Sequence, residues 1–119
     1  MHEVGIAAEI YRISREAAGA GARLQGVVVA VGELSAVEPD LLEFAWQAVV
    51  SGSRDEAVPL TIEWRFARQS CARCGVVSER AEGSWLKPCP RCGDPLSVTG
   101  GDDLDVLRVS FEPESEGAS

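Results

Sequence analysis

Histidine is nearly missing from this chain: there is one, His2, in 119 residues. A Ser-His-Asp hydrolase is excluded, because the only imidazole sits beside the amino terminus. Basic residues are scarce as well. Eleven Lys and Arg stand against nineteen Asp and Glu, giving a net charge of −8. Such a surface repels phosphate backbones, which bind through Lys and Arg, so no nucleic-acid role is expected. No apolar run approaches the roughly 18 residues of a membrane-spanning helix. The opening MHEVGIAAEIYRISRE carries charges at Glu3, Glu9, Arg12, Arg15 and Glu16, where a secretory signal would be apolar. These absences predict a cytoplasmic protein with no membrane segment. The polar tail EPESEGAS reads as disordered.

What is present is ordinary globular patterning. A helix is expected over residues 4–18, with Ile6, Ile10, Ile13 and Ala17 on one face and Gly19 and Gly21 ending it. The valine-rich run over 24–34 suits a strand buried on both faces. A second helix restarts near Pro39, with Leu42, Ala45, Trp46 and Val49 as its apolar stripe and Gly52 closing it. LTIEWRF alternates strictly, which predicts Leu60, Ile62, Trp64 and Phe66 inward; LDVLRVSFE predicts the same for Leu107, Val109 and Phe111. Glu33 and Glu38 read as a solvated loop and helix start rather than an acid/base couple. The expected fold is α+β, two helices packed on a small three-stranded sheet with an inserted cysteine segment. The division predicted is residues 1–69 plus 100–119 for the α/β unit and 70–99 for the insertion.

All four cysteines lie in that insertion, as CARCG (Cys71, Cys74) and CPRCG (Cys89, Cys92). Two residues between cysteines let both thiolates meet one ion, and the glycine after each pair permits a positive φ. The intervening GVVSERAEGSWLKP is expected to form a hairpin joining the two knuckles. Four thiolates around one tetrahedral ion describe a closed structural zinc site, with no open position for catalysis. Disulfides are rare in the cytosol, and a redox dithiol needs only one CxxC. Iron also accepts four sulfurs, and the spacing does not separate it from zinc. With Trp85 and Leu86 as its chief large apolar residues, the insertion depends on metal to fold. Its charges, Arg73, Arg80, Lys87 and Arg91 against Glu79, Glu82 and Asp94, read as a solvated surface.

His2 is then free for other chemistry. The Met1 amine, the ionised amide nitrogen of His2 and its imidazole form adjoining chelate rings, and the amide of Glu3 completes a square plane. Planar nitrogen sites suit Ni(II) or Cu(II). The Glu3 carboxylate is close enough in sequence to serve as a ligand or a local charge. The alternative is an untethered terminus that binds nothing.

Taken together, MHE, VGELSAVEPDLLEFAW and CARCG…CPRCG resemble the HypA/HybF family of hydrogenase nickel-incorporation proteins, over nearly the whole chain. The resemblance implies a non-enzymatic nickel metallochaperone, with Met1, His2 and Glu3 as the nickel site and Cys71, Cys74, Cys89 and Cys92 holding a structural Zn(II). It also implies two partners, a nickel-insertion GTPase and the large subunit of [NiFe]-hydrogenase. Family members generally have serine where this chain has Gly5, and some carry histidines beside the zinc knuckles that this chain lacks; acid sensing at the zinc site is therefore not expected. The competing reading is a zinc-ribbon protein-interaction adaptor without nickel binding. Monomer and dimer both remain open.

Overall fold

The computed structural model describes residues 2–81 and 83–113. Met1, Glu82 and residues 114–119, which hold most of the polar tail, lie outside them. The elements run α1 (His2–Ala18), β1 (Arg23–Gly32), α2 (Pro39–Val50), β2 (Leu60–Arg65), β3 (Arg68–Cys71), β4 (Gly75–Val77), β5 (Leu96–Thr99) and β6 (Leu104–Glu112). They build two three-stranded sheets, ordered β2-β1-β6 and β4-β3-β5. In the first, β1 is central, parallel to β2 across the α2 connection and antiparallel to β6. This is the α+β architecture expected of the sequence.

The first sheet and the helices share one core, centred on Val27, Val29, Val31, Leu42 and Trp46. The Trp46 indole N–H donates to the Val58 carbonyl at 2.8 Å, so its burial leaves no polar atom unpaired. Tyr11 meets Trp46 edge to face, and its hydroxyl donates to the buried Asp55 carboxylate at 2.6 Å. That contact fastens α1 to the segment following α2.

Several expectations need correction. Helix α1 starts at His2, and its buried line is Ala7, Ile10 and Ser14, whereas Ile13 and Ala17 are exposed. The helix packs chiefly on α2, and small residues at Ala7 and Ser14 allow a close approach that apolarity alone does not reveal. Ser14 returns its hydroxyl to the Ile10 carbonyl at 2.8 Å, which is how a polar side chain sits fully buried there. On β6, Val106 and Val109 pack on the core, while Leu107 and Phe111 are exposed. For Leu107 the cause is a bulge: Val28 pairs with Arg108 and Val29 with Val106, so Leu107 is an extra residue and the alternation slips there. Phe66 is also exposed, because β2 ends one residue before it.

The chain leaves the first sheet after β2 and returns to it at β6, on either side of the end of β1. Backbone hydrogen bonds clamp that end from both sides: Glu33 N–H to Arg65 O (2.8 Å), Gly32 N–H to Asp103 O (2.8 Å) and Leu34 N–H to Gly101 O (2.5 Å). A Cβ on Gly32 would lie 2.1 Å from the Gly101 carbonyl oxygen, and one on Gly101 would lie 2.6 Å from the Cβ of Ala67. Gly32→Ala is therefore expected to cost about 3 kcal/mol, the upper end of ordinary overpacking, because rigid backbone has to move. Urea unfolding of the two proteins measures it.

Candidate metal centre

The second sheet carries the four cysteines. Strands β3 and β4 form a hairpin whose turn is the first knuckle, with Cys71 opposite Gly75, and β5 pairs on the other edge of β3. The expected hairpin inside GVVSERAEGSWLKP is thus misplaced: among the described residues only its first ones form a strand, β4, and its partner precedes Cys74. A bridge between Pro88 and Pro95 closes the second knuckle. Gly75 and Gly93 follow the knuckles with φ of 88° and 81°, as the chemistry of the turn requires.

This backbone brings the four sulfurs within 4.8 Å of one another, with Cys71 and Cys92 at 3.4 Å. A tetrahedral ion with bonds of about 2.3 Å holds its sulfurs at similar separations, so the donor set and the geometry fit zinc. Amide N–H groups point at sulfur in each knuckle, Arg73 to Cys71 and Arg91 to Cys89, both at 3.4 Å. The Arg91 amide holds the Cys89 thiol down at about 7. The amides of Cys74 and Arg73 hold Cys71 below its ordinary value. Cys92 is pushed up to about 12: the Asp94 amide lowers it, but Cys71, burial and Cys74 outweigh that amide. Sulfurs this crowded ionise together only with a cation among them. Little else fills this core. Besides the cysteines it contains Val77, Leu86 and Leu96. The buried Gln69 braces it by accepting from the Leu86 amide at 3.1 Å and donating to the Leu86 carbonyl at 2.9 Å.

Glu33 and Arg80 depart most from the sequence reading, which left both in solvent. Each side chain is only 7% exposed, and they pair at 2.5 Å. Glu33 also accepts from the amides of Ala67 (3.0 Å) and Gly83 (3.1 Å). Arg80 donates to the Ala67 carbonyl at 2.8 Å and lies 4.2 Å from the Trp85 ring centroid. With Arg80 beside it and the two amides assisting, the Glu33 carboxyl is lowered to about 2. This pair ties the cysteine-bearing sheet to the end of β1. A glutamate closing a valine strand gives no hint of a partner 47 residues away.

At the amino end the structure places His2 and Glu3 in the first turn of α1. The His2 imidazole is exposed, with Nδ1 4.0 Å from Glu3 Oε2. That same oxygen faces the Glu38 amide at 3.4 Å, so the starts of α1 and α2 lie side by side. Glu38 was read as a plain helix start, and nothing in its spacing from Glu3 foretells the contact. The Glu3 carboxyl is held below its ordinary value by its own amide and, against some desolvation, by that of Glu38. The structure brings His2 and Glu3 together; Met1 lies outside the described residues. Amides in a first helical turn have no intrahelical acceptor, so those of His2 and Glu3 are not consumed by the helix.

A family model described as "Hydrogenase/urease nickel incorporation, metallochaperone, hypA" matches residues 1–111. The hydrogenase maturation factor HypA of Geobacter metallireducens is 34% identical over 113 residues, covering 94% of this chain and all of the relative. HypA of Azotobacter chroococcum is 35% identical over 118 residues, again covering 94% and 100%. Among solved structures, the solution structure of the Ni metallochaperone HypA from Helicobacter pylori shares the fold, with a TM-score of 0.60 at 22% identity, covering 94% of this chain and 98% of that one. The chain belongs to the HypA family of hydrogenase/urease nickel-incorporation metallochaperones, which are maturation factors rather than enzymes.

Proposed function

We propose that this protein binds one Ni(II) at Met1, His2 and Glu3 and, with a partner GTPase, delivers it to the large subunit of [NiFe]-hydrogenase in the cytoplasm. Cys71, Cys74, Cys89 and Cys92 hold a structural Zn(II) that crosslinks the segment 70–99. The observation that carries the nickel reading is the exposed His2 imidazole beside the Glu3 carboxylate at the start of a helix. The helix start favours negative charge, which eases ionisation of the amide nitrogens that bind the metal. Donors gathered at an exposed end leave one edge open, through which a receiving ligand attacks. Affinity falls with pH, because the amides must ionise. Copper binds such donors more tightly than nickel, so metal supply sets the cargo.

Nickel titration of the protein beginning at its native Met1, run beside His2→Ala with metals counted, tests this. One nickel per chain is expected in the first and none in the second, with one zinc per chain in both. Equal nickel binding by the two proteins, or none by either, overturns the site and leaves a zinc-ribbon adaptor as the better reading.

A further inference from the structure

The four cysteines are the only thiols of the chain, and Met1 holds its one other sulfur. They differ in access. Cys71 and Cys89 are buried, whereas Cys74 and Cys92, the second of each pair, are partly open to solvent. The 3.4 Å contact between Cys71 and Cys92 joins one knuckle to the other. Strand pairing holds it there: Cys71 ends β3 opposite Leu96, and the bridge between Pro88 and Pro95 closes the second knuckle around Cys92. Disulfides form at about 2.05 Å, so these two sulfurs stand within a small side-chain movement of bonding.

We propose that the cluster is a hydroperoxide-sensitive modification site whose oxidation links the knuckles crosswise, Cys71 to Cys92 and Cys74 to Cys89. This rests on the zinc reading above, in which all four sulfurs are held as thiolates. The partly open Cys92 sulfur attacks one oxygen of the hydroperoxide. A sulfur–oxygen bond forms, the oxygen–oxygen bond breaks, and the sulfur gives up two electrons. The products are a sulfenic acid and, after one proton is taken up, water or an alcohol. The Cys71 thiolate then attacks the Cys92 sulfur. A sulfur–sulfur bond forms, the sulfur–oxygen bond breaks, and the departing hydroxide takes a second proton to become water. With half its donors gone, the ion is released. Cys74 and Cys89, whose sulfurs lie within 4.8 Å of each other, are then the only thiols left, and a second hydroperoxide closes them by the same steps.

One disulfide inside each CxxC is the alternative, and it would leave the two knuckles unconnected. Crosswise bonds instead span the same segment that the ion crosslinks. Disulfides in a reducing compartment are typically transient and redox-sensing, which suits a site that a thiol reductant and zinc restore. The oxidised segment therefore stays folded without metal.

Trypsin reads out the pairing directly. It cleaves after Arg73 and Arg91, inside each knuckle, and after Arg80, so each cysteine falls on its own peptide: 69–73, 74–80, 81–91 and 92–108. The zinc-loaded full chain is treated with two equivalents of hydrogen peroxide, free thiols are alkylated, and the unreduced digest is analysed by mass spectrometry. Peptide 69–73 is expected joined to 92–108 and 74–80 to 81–91, with one zinc per chain released. Amide protection along β3 and β5 is expected to survive a chelator after oxidation, although the chelator alone removes it. Disulfides within the knuckles, any other pairing, links between chains or sulfinic acids in place of disulfides overturn the proposal. Retained zinc with all thiols free overturns it too, as does protection lost despite crosswise bonds. Zinc counted before treatment tests the zinc reading separately: a chain without zinc fails that reading, while the pairing of its cysteines still decides this one.

Discussion

Cys74→Ser is expected to release the metal and unfold the segment between β3 and β5. Among the described residues, the only other hydrophobic side chains in that core are Val77, Leu86 and Leu96 with the remaining cysteines. Three aliphatic residues do not offset the ordering of so long a segment, so metal binding, on the order of 10 kcal/mol for structural zinc at neutral pH, has to make up the difference. Serine leaves three thiols and an open position. The readouts are metal content and amide exchange: protection is lost along β3 and β5 while the central amides of β1 stay protected. Strong chelation of the wild type reproduces the same pattern. A variant that keeps one metal per chain with β3 still protected would show that three sulfurs suffice and that the fourth is dispensable.

The second large effect is expected from Glu33→Ala. It leaves Arg80 buried beside an empty position and removes the acceptor for the amides of Ala67 and Gly83. Breaking a buried pair by removing one partner costs about 3–5 kcal/mol, most of it from the charge left behind. The loss depends on pH in a defined direction. The Glu33 carboxyl is lowered from 4.5 to about 2 in the folded protein. Its contribution is thus complete above the unfolded value, near 4.5, and disappears as the pH falls towards the folded one. Denaturant midpoints of wild type and variant are expected to lie far apart at neutral pH and to converge between those two values. A gap that stays constant through that range would assign the effect to packing and not to the carboxylate.

The sequence made the four-cysteine cluster legible because it depends on spacing that survives without tertiary knowledge. CxxC with a following glycine specifies a knuckle locally, and both glycines adopt the left-handed backbone that this predicts. Helix α2 was legible for the same reason: Pro39 in its first turn and the line through Leu42, Ala45 and Trp46 are local signals. Failures occurred where geometry depends on a distant partner. The bulge at Leu107 arises from pairing with β1 and cannot be seen in the alternation of β6 alone. The face of α1 was misjudged because Ala7 and Ser14 are buried for their small size, a demand made by α2. Glu33 and Arg80 look like surface charges until the chain folds back and encloses both. The contact of Glu3 with the Glu38 amide escaped for a similar reason, since it joins two helix starts 35 residues apart.

The crossing at Gly32 has an entropic consequence for the first sheet. Strand β6 reaches its place beside β1 only if Ala67 and Gly101 are held together, and residues 68–100 separate them. While that segment is folded, β3 and β5 fix the two ends as neighbours through the pairing of Arg68 with Thr99. Once it unfolds, the first sheet must close a free loop of that length by itself, at a cost on the order of 3 kcal/mol. An ion held by the four sulfurs would thereby help keep β6 in the sheet beneath α1, without touching either.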